Sequence, residues 1–105
     1  MNPVVIFITC ANKKEARRIA TAVVKNRLAA CVNIVDKIES IFWWQDKIER
    51  VNEVLLIIKS KKSKLARVMK LVKSMHSYQI PEIIVLPVTG GYKPYLRWLD
   101  ESLTF

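Results

Sequence analysis

Few side chains in this chain have the chemistry for catalysis or ligation. It holds one histidine, His76, and two cysteines, Cys10 and Cys31. No G-x-S-x-G, H-E-x-x-H or Gly-rich phosphate loop is present. The cysteines lack the close C-x-x-C spacing of a zinc or redox pair. Both lie in apolar surroundings and read as reduced, small buried hydrophobes, with Cys10 at the end of an apolar run the more interesting. The carboxylates Glu49, Glu53, Glu82, Asp100 and Glu101 have no spacing that pairs any two as acid and base. Structural or surface roles suit them better, except that Glu82, just after Pro81, is placed to hydrogen-bond Tyr78 or a neighbouring subunit. The pattern points away from an enzyme.

The elements that must position these groups follow from periodicity. Residues 4–10 form a β-branched apolar run, which predicts a strand covered on both faces. Asn12 with Glu15 three residues on has the form of a capping box, so a helix begins here, with Ala16, Ile19, Ala20, Val23 and Val24 as its buried face, and runs to about Arg27. Residues 30–35 predict a second strand and 41–48 a third, with Asp36-Lys37 as the hairpin connection and Gln45-Asp46 as a weaker turn candidate. Residues 51–59 supply a further core run, so 41–58 reads as one bent strand or two paired ones. Ser63 is a candidate cap for a second helix, whose Leu65, Val68, Met69, Val72 and Met75 mark one face. Residues 82–86, bracketed by Pro81 and Pro87, predict a short strand near a sheet edge or one entering the core from a loop. Pro94 suits the first turn of a last helix with Tyr95, Trp98 and Leu99 on its apolar side.

This order predicts an α+β fold: a four-stranded antiparallel sheet with two helices on one face in the split βαβ arrangement, plus a C-terminal helix, in a single domain over residues 1–105. The helices can cover only one sheet face. Strands carrying Phe7, Val32, Ile34, Phe42, Trp43, Trp44 and Leu56 look apolar on both, so the bare face is expected to bury against other copies or under the C-terminal helix. Trp43 and Trp44, adjacent in a strand, must point to opposite faces, one toward the core and one toward a subunit contact.

The formal net charge is +9. Lys13, Lys14, Arg17, Arg18 and Lys25 fall in the first helix, and Lys61, Lys62, Lys64, Arg67, Lys70 and Lys73 in the second. From the pattern alone these are solvated faces opposite apolar stripes, and nucleic acid is an unlikely partner. The strand order also serves RNA-recognition domains, but no RNP run is present. No apolar run approaches the roughly 20 residues of a bilayer span, and no signal-peptide pattern opens the chain, so no membrane association and a cytoplasmic location are expected.

Several blocks carry a family resemblance. Residues 27–34, RLAACVNI, residues 40–49, SIFWWQDKIE, residues 53–59, EVLLIIK, residues 76–83, HSYQIPEI, and residues 95–99, YLRWL, resemble in order and spacing the motifs of the CutA divalent-cation-tolerance family. The resemblance implies a ferredoxin-like βαββαβ fold, a homotrimer similar to the P-II signalling proteins, and a role in metal-ion response, with copper as the ion most associated. It also implies a metal site at Cys10 and His76, with Met75 as a soft third donor where some members have a second His; thiolate, imidazole and thioether suit Cu(I). A P-II-like small-ligand sensor is the alternative that the same likeness brings. The chain departs from the family pattern at Ala11, Asp46, Ser77 and Gln79, where Pro, Gly, Pro and Glu are usual.

Overall fold

A computed structural model describes residues 1–104. Four strands and three α-helices alternate as β1 (Pro3–Cys10), α1 (Lys13–Lys25), β2 (Cys31–Trp44), β3 (Lys47–Lys61), α2 (Leu65–Met75), β4 (Ile83–Pro87) and α3 (Lys93–Leu103). The strands form one antiparallel sheet in the order β2-β3-β1-β4. β4 is an edge strand ending on Pro87, a position that tolerates the missing N–H.

α1 starts where the sequence says it must. The Asn12 side chain accepts a 2.8 Å hydrogen bond from the Glu15 N–H, which satisfies one orphan donor of the first turn. The helix ends at Lys25, two residues earlier than the periodicity suggests, because Arg27 turns to φ 56° and the Leu28 and Ala29 N–H groups fold back on the Val23 carbonyl. α2 departs further. Ser63 lies inside a short 3-10 turn, Lys62–Lys64, and Lys64 precedes the helix without a side-chain cap.

The largest correction concerns the hairpin. Asp36-Lys37 is no turn: β2 runs straight through it, taking three steps from Val35 to Ile38 where β3 takes two, from Leu55 to Glu53. This is a β-bulge, with Lys37 at φ 60° and its N–H held by the Asp36 carboxylate at 2.8 Å. The chain reverses instead at Gln45-Asp46, at φ 50° and 61°. Two consecutive left-handed residues are what a tight two-residue hairpin with the sheet's own twist requires.

The core lies between the helix layer and one sheet face. Ile6, Ile8, Leu56 and Ile58 from the strands meet Ala16, Ile19, Val23, Val68 and Val72 from α1 and α2. The opposite face is half-open, so β1 is not covered on both sides: Phe7 is half-buried, and Ile84 and Leu86 are exposed. α3 buries Leu99 and Leu103 but leaves Tyr95 and Trp98 largely exposed, and a Lys61–Asp100 ion pair at 3.1 Å ties it to β3. Neither Trp43 nor Trp44 enters the core; they are 72% and 45% exposed on the projecting hairpin.

Candidate metal centre

Three elements converge at one end of the helix layer. β1 ends on Cys10, α1 carries Glu15 in its first turn, and α2 stops at His76, whose backbone leaves the helix at ψ 138° while its N–H still caps the Val72 carbonyl at 2.9 Å. One donor atom from each of Cys10, Glu15 and His76 lies within 4.8 Å of the other two. Cys10 and the His76 side chain are fully buried, and Glu15 is nearly so.

The hydrogen bonds assign the imidazole tautomer. Nε2 sits 2.7 Å from the Thr9 carbonyl, which can only accept, so Nε2 carries a proton. Nδ1 accepts from the Tyr78 N–H at 3.0 Å, so it presents a lone pair. Glu15 Oε1 stands 3.2 Å from that same nitrogen. A carboxylate oxygen and a ring lone pair thus face each other, an arrangement that a proton or a cation between them relieves. Ser77 pins the carboxylate, its N–H on Oε1 at 2.9 Å and its hydroxyl on Oε2 at 2.7 Å.

Cys10 completes the acceptor cluster in latent form. Burial first, then the charges of Glu15 and Glu53, push its thiol up to about 12, so it is protonated and unreactive at neutral pH. Tyr78 closes the far side. Its ring tilts against His76 at 4.8 Å between centroids, and its hydroxyl donates to Glu53 Oε2 at 2.7 Å. Burial and this bond to Glu53 raise the phenol well above its ordinary range, which keeps it a donor.

The structure brings Cys10 and His76 together. Met75 precedes His76 but packs its side chain against the core and lines a surface hollow with Arg17, Arg18, Thr21, Ala22 and Lys25. Tyr78 bonds to Glu53, not to Glu82. The residue that sequence reasoning missed is Glu15: the capping box assigned its carboxylate to the helix backbone, whereas it turns inward to Ser77 and His76. Ser77 was the available signal. Pro has no N–H, so a Ser at this position adds two donors, and both go to Glu15.

The profile of the CutA1 divalent ion tolerance proteins matches residues 4–102. The chain belongs to this family. It is 44% identical over 99 residues to the chloroplastic protein CutA 1 of rice (Oryza sativa subsp. japonica), covering 94% of this chain and 56% of the rice protein. It is 45% identical over 98 residues to the divalent-cation tolerance protein CutA of Archaeoglobus fulgidus, covering 93% of this chain and 95% of that one. A solved structure of the periplasmic divalent cation tolerance protein CutA from Archaeoglobus fulgidus superposes with a TM-score of 0.93 at 44% identity, covering 96% and 98% of the two chains. This CutA-family chain thus spans about half the length of the rice relative. No helix among its described residues is long and apolar enough to cross a membrane.

Proposed function

We propose that this chain is a non-enzymatic metal-response protein, working in the cytoplasm as a homotrimer of ferredoxin-like domains, that takes up a soft or borderline ion such as copper at Cys10, Glu15 and His76. The observation that carries the reading is the donor set itself. Sulfur, imidazole nitrogen and one carboxylate oxygen are within mutual reach and buried, a combination suited to copper and poor for Mg²⁺ or Ca²⁺, which prefer oxygen. The residues fit an ion on two conditions. The thiol must lose its proton, and Nδ1 must exchange the Tyr78 N–H for the metal, so uptake releases a proton and loosens the loop after α2. Met75, whose side chain packs against the core and lines the hollow beside α1, joins this donor set only if its side chain reorients. The trimer reading rests on the exposed apolar hairpin, where Ile41, Trp43 and Ile48 are each more than half exposed.

Calorimetric titration with Cu(I) under reducing conditions tests the site. Cys10→Ser and His76→Ala should each weaken binding by at least about tenfold, Glu15→Gln by less, and Met75→Leu least, with sedimentation unchanged. Affinity should rise about tenfold per pH unit while one thiol proton is displaced. Parent-like titrations from both Cys10→Ser and His76→Ala would reject the site and leave family membership untouched. A stable monomer at micromolar concentration would reject the trimer.

A further inference from the structure

The charge of this protein is segregated by layer. From Lys13 to Lys25 the sole acid is Glu15, and from Lys61 to Met75 there is none. The fold turns that one acid inward onto Ser77, so the outer surface of α1, α2 and the turn between β3 and α2 presents no carboxylate. Lys14, Arg17, Lys25, Lys62, Arg67, Lys70 and Lys73 are all exposed there. Among the described residues, Lys13 alone of the cations on this layer has a carboxylate within ion-pair distance, Asp36 at 3.9 Å; Lys61 points to α3 instead. Partial desolvation, then Arg67 and Lys61, lower the Lys64 ammonium below its ordinary range. The acids lie elsewhere, on the hairpin, the loop before β4 and α3. A solvated helix face ordinarily mixes both signs, and this one does not.

We propose that the α1–α2 face is a docking surface for the phosphate backbone of a nucleic acid duplex, read by charge and without base specificity. Complementarity decides the class. The face spans two neighbouring helices about 20 and 16 Å long, and where α1 meets the end of α2 lies a hollow of about 450 Å³ lined by Arg17, Arg18, Thr21, Ala22, Lys25 and Met75, with Arg18 donating to the Met75 carbonyl at 3.2 Å. Guanidinium forks and a hydroxyl donor suit phosphate oxygens. Face-to-face pairing with a second copy of the chain is excluded, since two such faces repel. A lipid surface fits less well: the layer carries no aromatic anchor, and among the described residues its exposed large apolar side chains are Val24 and Met69. The same lack of aromatics removes the stacking platform that single strands need. This differs from the sheet-face readout of RNA-recognition domains, for which the chain has no motif.

The test compares two quartets with equal loss of charge in the full chain. The first removes Lys14, Arg17, Arg67 and Lys70 by substitution to Ala; the second removes Lys47, Arg50, Lys93 and Arg97 on the hairpin and α3. Fluorescence anisotropy with a labelled 20-base-pair DNA duplex reads affinity from about 50 to 200 mM salt. The helix quartet should lose at least about a hundredfold and flatten the logarithmic salt slope by about 3.6, near 0.9 for each of four phosphate contacts. The other quartet should lose threefold or less. Circular dichroism and sedimentation matching the parent secure the fold of both. Equal losses in the two quartets, no measurable duplex binding by the parent, or tighter binding of the single strand would each overturn the proposal. So would binding to phosphatidylserine vesicles that the helix quartet abolishes while duplex binding survives.

Discussion

β2 and β3 are one continuous strand pair with two different fates. Toward the helices, Leu56 and Ile58 are fully buried against α1 and α2. Beyond the bulge at Asp36-Lys37, the same two strands project without a layer on either side, and Trp43, Ile48 and Ile41 are exposed by 72, 61 and 55%. The backbone ladder is equally complete in both halves, running to Trp44↔Lys47 at the tip. Hydrogen bonding therefore cannot distinguish them. What differs is side-chain burial, which supplies most of the stabilisation a strand receives from its surroundings. The near half is built for this chain's own core, and the far half offers its apolar residues to something outside it.

The largest expected effect breaks the near half. Leu56→Ala leaves a cavity where α1 and α2 cover β3 and should cost about 2–5 kcal/mol by denaturant unfolding. Trp43→Ala removes a larger side chain from the far half, yet should change the unfolding of an isolated chain by only about 0.5 kcal/mol. Its effect should appear in assembly, as a shift toward monomer in sedimentation velocity. A Trp43→Ala protein as destabilised as Leu56→Ala and unchanged in mass would show that the hairpin belongs to the domain's own core.

A second contrast sets the buried end of β1 against the open strands, and pH resolves it. The Cys10 thiol, 9.0 in a free chain, is pushed up to about 12 by burial and by Glu15 and Glu53. A raised acid is held neutral in the folded state. The stability this gives is complete below about pH 9 and is lost as pH climbs through about 12. Tyr78, raised by burial and by its bond to Glu53, acts in the same direction. Unfolding free energy measured from pH 8 to 11 should fall more steeply for the parent than for Cys10→Ser, and parallel profiles would remove Cys10 as a cause.

Smaller again is the polar tie inside the near half. Ser60 is fully buried, and its hydroxyl donates to the Leu28 carbonyl at 2.6 Å, joining β3 to the connection between α1 and β2. Ser60→Ala should cost about 1 kcal/mol, more than a typical exposed substitution, because the carbonyl loses a partner that water cannot easily replace. A cost below about 0.3 kcal/mol would mean that this connection relaxes on its own.

Periodicity was most readable where one chain decides everything. The centres of the α1 and α2 stripes register on the core because they face a layer made of the same sequence, whereas Val24 and Met69 at the stripe edges are exposed, and β1, read as covered on both faces, buries one face more fully than the other. It was least readable in the hairpin, where nothing in this chain covers either face, so the apolar run 41–48 carried no phase and Asp36-Lys37 imitated a turn. A bulge and a turn ask for the same residues, since both need a left-handed position. The candidate centre was half legible. Cys10 and His76 came through family motifs, but Glu15 did not, because a helix cap explained it adequately; only the tertiary approach of Ser77 gives its carboxylate another use.

The hairpin tip gives the finest test of that reading. Gln45 and Asp46 both hold positive φ, a region that costs an ordinary L-residue roughly 1–2 kcal/mol and Asp somewhat less, because its short side chain can bond locally. Gly adopts the conformation freely but brings extra freedom to the unfolded chain, which returns roughly 0.4–1 kcal/mol of the gain. Asp46→Gly should therefore stabilise by only about 0.5 kcal/mol. Asp46→Val, β-branched and without a local acceptor, should destabilise the hairpin locally by about 1 kcal/mol or more. Both changes fall in the far half, so they should alter the domain's unfolding midpoint little and the hairpin's amide exchange more. If Asp46→Gly instead slows exchange throughout β1 and β3, the tip is coupled to the core, and the two halves of the strand pair are one cooperative unit.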